Sequence, residues 1–315
     1  MLTYLLPNWT IIGLLAVVLG VAGSFFDKYL LKRYFDGKGS GEGPGALLIF
    51  SSLFSVFFTL LILVLKYETI DFLFTTGLVG LGIGFLSGVW ILLYLYALNR
   101  TEVSRVVPLL QLVPIFALVL GYFFLSEVLT YQQIIAAGTI VFAALILLYN
   151  KEGSVFKIDV TTLALMIAVS ILIAIIGVLF KLVALETSYW TAVFFESAGL
   201  GIFGLFLFVF FKGYRAEFCN MVATRARHVL SANSFNEVLD TTAEFTLFFA
   251  VTIGPVALVH SLNAFQPALV LASGAVLAYL VPTYFYDENK SISTTQKIAG
   301  VGLMTVGSIY LYTLI

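Results

Sequence analysis

"ALNRTEVSRVVPLLQLVP", Ala97 to Pro114, and "AVTIGPVALVHSLNAFQP", Ala250 to Pro267, decide how this chain folds. In each, alanine and proline stand 17 residues apart, and each stretch joins two apolar runs. The turns inside them leave room for little beyond a helical hairpin. The two prolines are 153 residues apart, and self-similarity at one fixed offset is the mark of a duplicated unit. A second match lies further on: "TYQQIIAAG" and "STTQKIAGVG" each lead into a last apolar run. Thr130-x-x-Gln133 and Ser293-x-x-Gln296 read as capping boxes, with a hydroxyl at the N-cap and an amide at N3.

The composition names the solvent. The 315 residues are 61% hydrophobic and 10% charged, against about 25% charge in a soluble domain. One soluble core cannot hide that much apolar surface, so the chain is an all-α polytopic membrane protein. A crossing helix needs about 20 apolar residues. Ten runs qualify: 9–31, 46–66, 72–98, 103–125, 131–149, 160–185, 189–211, 235–254, 256–281 and 298–315. They are continuous rather than alternating, which excludes a β-barrel. The first run follows an uncharged "MLTYLLPN" and exceeds the usual h-region of about 7–15 residues, so it reads as a retained helix rather than a secretory signal.

The duplicated unit then has five spans, giving two halves, 1–150 and 156–315. Five is odd, so the second half enters the bilayer upside down. An inverted repeat is a common build of secondary transporters. Call the face of the N-terminus side A. Its loops hold Lys66 alone, whereas the side-B loops hold thirteen Lys and Arg, from Lys32 to Lys297. The positive-inside rule makes side B cytoplasmic and both termini non-cytoplasmic. Net charge is −1, which gives nucleic acid no handle. One cysteine, Cys219, and two histidines, His228 and His260, supply neither a disulfide framework nor a metal site, and nothing calls for a cofactor.

The ten spans in two fives, with "YALNRTEVSRVVPLLQLVPIF" and "FFLSEVLTYQQIIAAGTIVFAALILL", resemble the EamA-type members of the drug/metabolite transporter (DMT) superfamily. The likeness covers nearly the whole chain and is strongest in spans three to five. Spans nine and ten depart from it, with roughly nine extra residues between Pro267 and "KIAG". The resemblance implies a metabolite carrier whose central cavity is lined largely by spans three, four, eight and nine. It also implies cytoplasmic termini, against the charge count.

"FNEVLDTTAEFTLFFAV", 235 to 251, puts acids where lipid should be. Asn233, Glu237, Asp240 and Glu244 are spaced by four, three and four, so they share one helix face. Glu244 precedes Gly254 by ten residues, about 15 Å along a helix, near the middle of an about 30 Å core. A carboxylate there costs several kcal/mol unless it meets water or a partner. The matching positions in span three are Gly80, Gly84, Ser87 and Ile91, and Gly80, Gly84 and Gly88 form a small-residue stripe suited to close helix packing. One half of the cavity would carry the charge and the other a glycine-lined face. A proton on Asp240 or Glu244, or an amine on the cargo, would answer that charge.

Glu196, two turns inside span seven, is a further substrate-site candidate, with an ion pair to Lys181 as the structural alternative. Lys181 itself can snorkel, and Asp27 and Lys28 read as interfacial. His260, Trp90 and Tyr94 are candidate lining residues, as is Tyr122. Pro108, Pro114 and Pro267 read as kinks, with Gln111 and Gln266 beside them. The basic stretch 212–228 reads as a separate amphipathic helix lying on anionic lipid. The expectation is a non-enzymatic secondary carrier in the cell membrane, exporting amino acids or related amine-bearing metabolites, with protons as candidate coupling ions. An integral membrane enzyme, or a receptor or scaffold, is the alternative.

Overall fold

Long apolar runs without proline have one way to satisfy their backbone in lipid, which is to close every N–H and C=O bond within a helix. The computed structural model describes residues 8–35, 43–101, 103–128, 130–148 and 159–280, with parts of 299–310. The described elements are all helical. In chain order they are α1 (Asn8–Leu30), α2 (Gly43–Lys66), α3 (Phe74–Arg100), α4 (Val103–Val106), α5 (Val113–Leu125) and α6 (Tyr131–Leu148). There follow α7 (Val160–Glu186), α8 (Tyr189–Phe210), α9 (Lys212–Ile253), α10 (Val256–Ser261) and α11 (Gln266–Leu280). Among the described residues, seven helical stretches are long and apolar enough to cross a membrane. Most of the tenth expected span, and the Ser293–Gln296 capping box, lie outside the described residues. The Thr130–Gln133 box forms: Thr130 N–H donates to Gln133 Oε1 (2.8 Å), and Gln133 N–H to Thr130 Oγ1 (3.3 Å).

Two expectations need correcting. Spans four and nine are broken helices. Val107–Leu112 is 3-10 helical between α4 and α5, and Leu262–Phe265 between α10 and α11. Pro114 and Pro267 stand just after these breaks; each lacks an N–H and clashes with the carbonyl four residues earlier. For Pro267 that carbonyl belongs to Asn263, and the Gln111 side chain reaches across from the other break to donate to it (2.8 Å). The second correction concerns 212–228. It is no separate surface helix but the first part of α9, 42 residues long. From Tyr214 to Ile253 there is neither Pro nor Gly to stop a helix. At about 1.5 Å per residue α9 runs about 63 Å, twice an about 30 Å bilayer core.

The bundle turns a soluble protein inside out. Val64, Phe74, Phe123, Leu205 and Phe210 are exposed, while Ser87, Gln111, Ser170, Glu196, Asn233 and Glu237 are buried. Helices of the two sequence halves interleave: α3 packs on α8 and α7, α1 on α9, α2 on α8 and α9, and α5 on α7 and α10. The α3–α8 contact is backbone to backbone. A Cβ on Gly199 would lie 3.0 Å from Gly84 Cα, and one on Gly84 would fall 2.6 Å from Leu200 N. Gly80 and Gly88 meet Phe195 and Phe203 of the same helix. The glycine stripe of α3 therefore seats α8, and does not face the acids of α9 across a cavity.

Candidate functional site

The helices line a partly open cavity of about 220 Å³. Its wall draws on α1, α2, α3, α5, α7, α8, α9, the α10–α11 segment and the α4–α5 break, a wider set than spans three, four, eight and nine. Seven of the eight candidate substrate residues line it: Trp90, Tyr94, Glu196, Glu237, Asp240, Glu244 and His260. Asn233 does not. It is fully buried one turn below Glu237, and its amide makes no hydrogen bond. Tyr122 stands exposed on the outer surface.

The carboxylates come from three helices. Asp27 of α1, read as interfacial, lines the cavity with Glu196 of α8 and the three acids of α9. Helix α1 runs on through a π-helical turn, Leu31–Phe35, so Asp27 sits about two turns from its end. Asn236, which the sequence reading passed over, is the bridge. Its Nδ2 donates to Asp27 Oδ1 and to Asp240 Oδ2, both at 2.9 Å. Glu237 accepts from Ser51 of α2 (2.5 Å). Glu196 is 1% exposed, flanked by Ser87 and Ser197, with one carboxylate oxygen lacking a partner. Glu196, Glu237 and Asp240 are acidic neighbours of Glu244. Among the described residues no Lys or Arg lines the cavity.

Small residues make this approach feasible, and they lie on α1 rather than α3. A Cβ on Gly23 would occupy the place of Asp240 Oδ1, and one on Gly20 would come 3.7 Å from Gln266 Nε2. On the far wall, a Cβ on Gly177 would lie 2.9 Å from His260 Nε2; neither His260 nitrogen has a hydrogen-bond partner. The apolar remainder includes Phe58, Phe245 and Phe248. Phe248 stacks on Phe180 with centroids 4.0 Å apart, and Tyr189 donates to the Phe245 carbonyl (2.8 Å).

Two charged groups read from the sequence take other partners. Lys181 does not meet Glu196. It pairs with Glu127 in the turn after α5 (2.7 Å) and donates to the Gly254 carbonyl (2.7 Å). Lys28 donates to the carbonyls of Leu98 (2.7 Å) and Thr101 (2.8 Å). Outside the spans, Asp159 precedes α7 and accepts from Thr162 and from Arg100 (2.9 Å). The Thr162 hydroxyl first, then Arg100, hold its carboxyl below the ordinary value.

A chain in a solved crystal structure of another protein matches with a TM-score of 0.62, over 98% of this chain and 97% of that one, at 14% identity. The helical fold of the whole chain, second half included, is thus one already seen. A search of curated proteins returned no match. Residues 8–149 match the model of the EamA-like transporter family. Over that segment, which carries α1 to α6, the chain resembles the EamA-like transporter family, and its seven long apolar helices among the described residues fit a multi-pass membrane protein.

Proposed function

We propose that the protein is a secondary carrier of amine-bearing metabolites, amino acids among them, working by alternating access with protons as the coupling ion. The observation that carries this is the wall of the cavity: five carboxylates from three helices and no Lys or Arg among its described lining residues. A carboxylate away from water needs a counter-charge. The Asn236 amide and the Ser51 hydroxyl supply hydrogen bonds but no charge. A cationic group on the cargo, or protons when cargo is absent, completes the site. The space has a volume of about 220 Å³. It lies below the about 300–1,000 Å³ of drug-sized pockets, which favours a small metabolite.

The two-half reading, 1–150 and an inverted 156–315, has support in the packing. Exchange α1 with α7, α2 with α8, α3 with α9 and α5 with α11, and α3 on α8 becomes α9 on α2. Likewise α1 on α9 becomes α7 on α3, and α5 on α7 becomes α11 on α1; all these contacts occur. Cavity residues pair at the same offset of 153: Trp90 with Ala243, Ile91 with Glu244, Tyr94 with Leu247, and Leu110 with Asn263. Side B, with its excess of Lys and Arg, is the cytoplasmic face in this reading, and export is the direction proposed.

The test is flux in proteoliposomes with and without an imposed pH gradient, beside a thermal-protection screen over metabolites. Amine-bearing solutes should protect the parent and fail to protect Glu244→Gln. Protection by anions alone, or amine transport indifferent to the gradient and to Glu244→Gln, defeats the proposal.

A further inference from the structure

Lys28 and Lys181 stand 153 residues apart, the offset of the paired prolines, and they make the same contact at opposite ends of the bundle. Lys28 donates to the Thr101 carbonyl (2.8 Å), and Lys181 to the Gly254 carbonyl (2.7 Å), 153 places further on. The acceptors match in detail. Each is the extended C-cap of a long helix, α3 or α9, and each bonds back through its N–H to an alanine carbonyl, Ala97 (3.2 Å) or Ala250 (2.8 Å). Carbonyls left over at a helix C-terminus favour a cation. A lysine within an apolar span is costly unless its ammonium finds acceptors, and two at equivalent places in two halves point to a shared task.

What each lysine holds is the C-cap of a helix that lines the cavity further along. The α3–α4 turn lies two turns beyond Tyr94, and the α9–α10 turn lies between Phe248 and His260, all three lining residues. Each lysine ties its turn to the first helix of the same half, α1 or α7. We propose that Lys28 and Lys181 are paired gate pins: each holds one turn shut over one end of the cavity, and each must release in alternation for cargo to pass. This rests on the reading of the chain as two inverted halves.

At the Gly254 end, Glu127 adds a second clasp by accepting from Lys181 (2.7 Å) and from Val256 N–H (3.0 Å). It reaches from the α5–α6 turn of the first half and straps it to the second.

The test uses the full chain in liposomes, with Cys219→Ser and a single reporter, Thr241→Cys, on the cavity wall. A membrane-impermeant maleimide is applied to either face in turn. Lys181→Met should speed labelling from the face bearing residue 254 by about tenfold, the scale of one lost hydrogen bond from a charged donor. Lys28→Met should do so from the opposite face. Glu127→Gln, which loosens Lys181 without removing it, is the second variant and should speed labelling from the 254 face alone, by less. If the two lysine variants speed labelling from the same face, or none of the three changes it, the pins are refuted. Thr101→Cys and Pro255→Cys, both at partly exposed positions and labelled separately, test the underlying reading. Labelling from one common face overturns the inverted halves and the pins with them; opposite faces with unresponsive lysine variants overturn the pins alone.

Discussion

Gly84→Ala is the sharpest test of how α3 and α8 meet. A Cβ on Gly84 would fall 2.6 Å from Leu200 N and 2.8 Å from the Glu196 carbonyl carbon, and closer still to its oxygen. These are backbone atoms, so no rotamer change relieves them and the two helices must part. Overpacking of this kind costs about 1–3 kcal/mol, and rigid neighbours put this case at the upper end. Alanine returns about 1 kcal/mol of helix propensity, leaving a net loss of about 1–2 kcal/mol. Gly82, on the same helix, has nothing within 4 Å of its Cβ position, so Gly82→Ala keeps the propensity gain of about 1 kcal/mol without the clash. The two variants should differ by about 2–3 kcal/mol, or roughly 5 °C in Tm, in thermal unfolding of detergent-solubilised protein. Transport should fall in Gly84→Ala alone, because the displaced backbone carries Glu196. Equal Tm values for Gly82→Ala and Gly84→Ala would refute the backbone contact.

Other expectations are simpler. Gln111→Leu leaves the Asn263 carbonyl, freed by Pro267, without its donor. The cost should be about 1–3 kcal/mol, read as a lower Tm, and no change would mean another group satisfies that carbonyl. Thr130→Ala removes a formed N-cap and should cost about 1 kcal/mol; a variant as stable as the parent argues against the box. Asp27→Asn should weaken thermal protection by amine-bearing solutes, as Glu244→Gln does; undiminished protection would place Asp27 outside the site. The Asp159 carboxyl is held below its ordinary value of 3.8 by Thr162 and Arg100. Its contribution to stability is therefore present above 3.8 and is lost as pH falls through the lower folded value. The stability gap between parent and Asp159→Asn should be constant near neutrality and close in strong acid; a gap that widens on acidification reverses the sign and overturns this assignment.

Local chemistry along the chain sets what consecutive residues can encode. Membrane class followed from composition, and span limits from run lengths, as with 9–31 against Asn8–Leu30 and 160–185 against Val160–Glu186. The Thr130 box and the proline kinks are local chemistry, readable in place, although the opening of each kink into a 3-10 break is not. The acids of α9 announced themselves because charge in an apolar run needs a reason. Asp27 and Asn236 did not: one sat near an apparent helix end, and the other is a neutral residue one turn before an acid. Only packing between elements some 209 residues apart brought the Asn236 amide between two carboxylates. The glycine stripe shows the same division. Its spacing declared a packing face, but whether that face met α8 or the acids depends on which helices interleave. Periodicity along one helix carries no information about its partner, which is chosen by shape and charge across the assembled bundle.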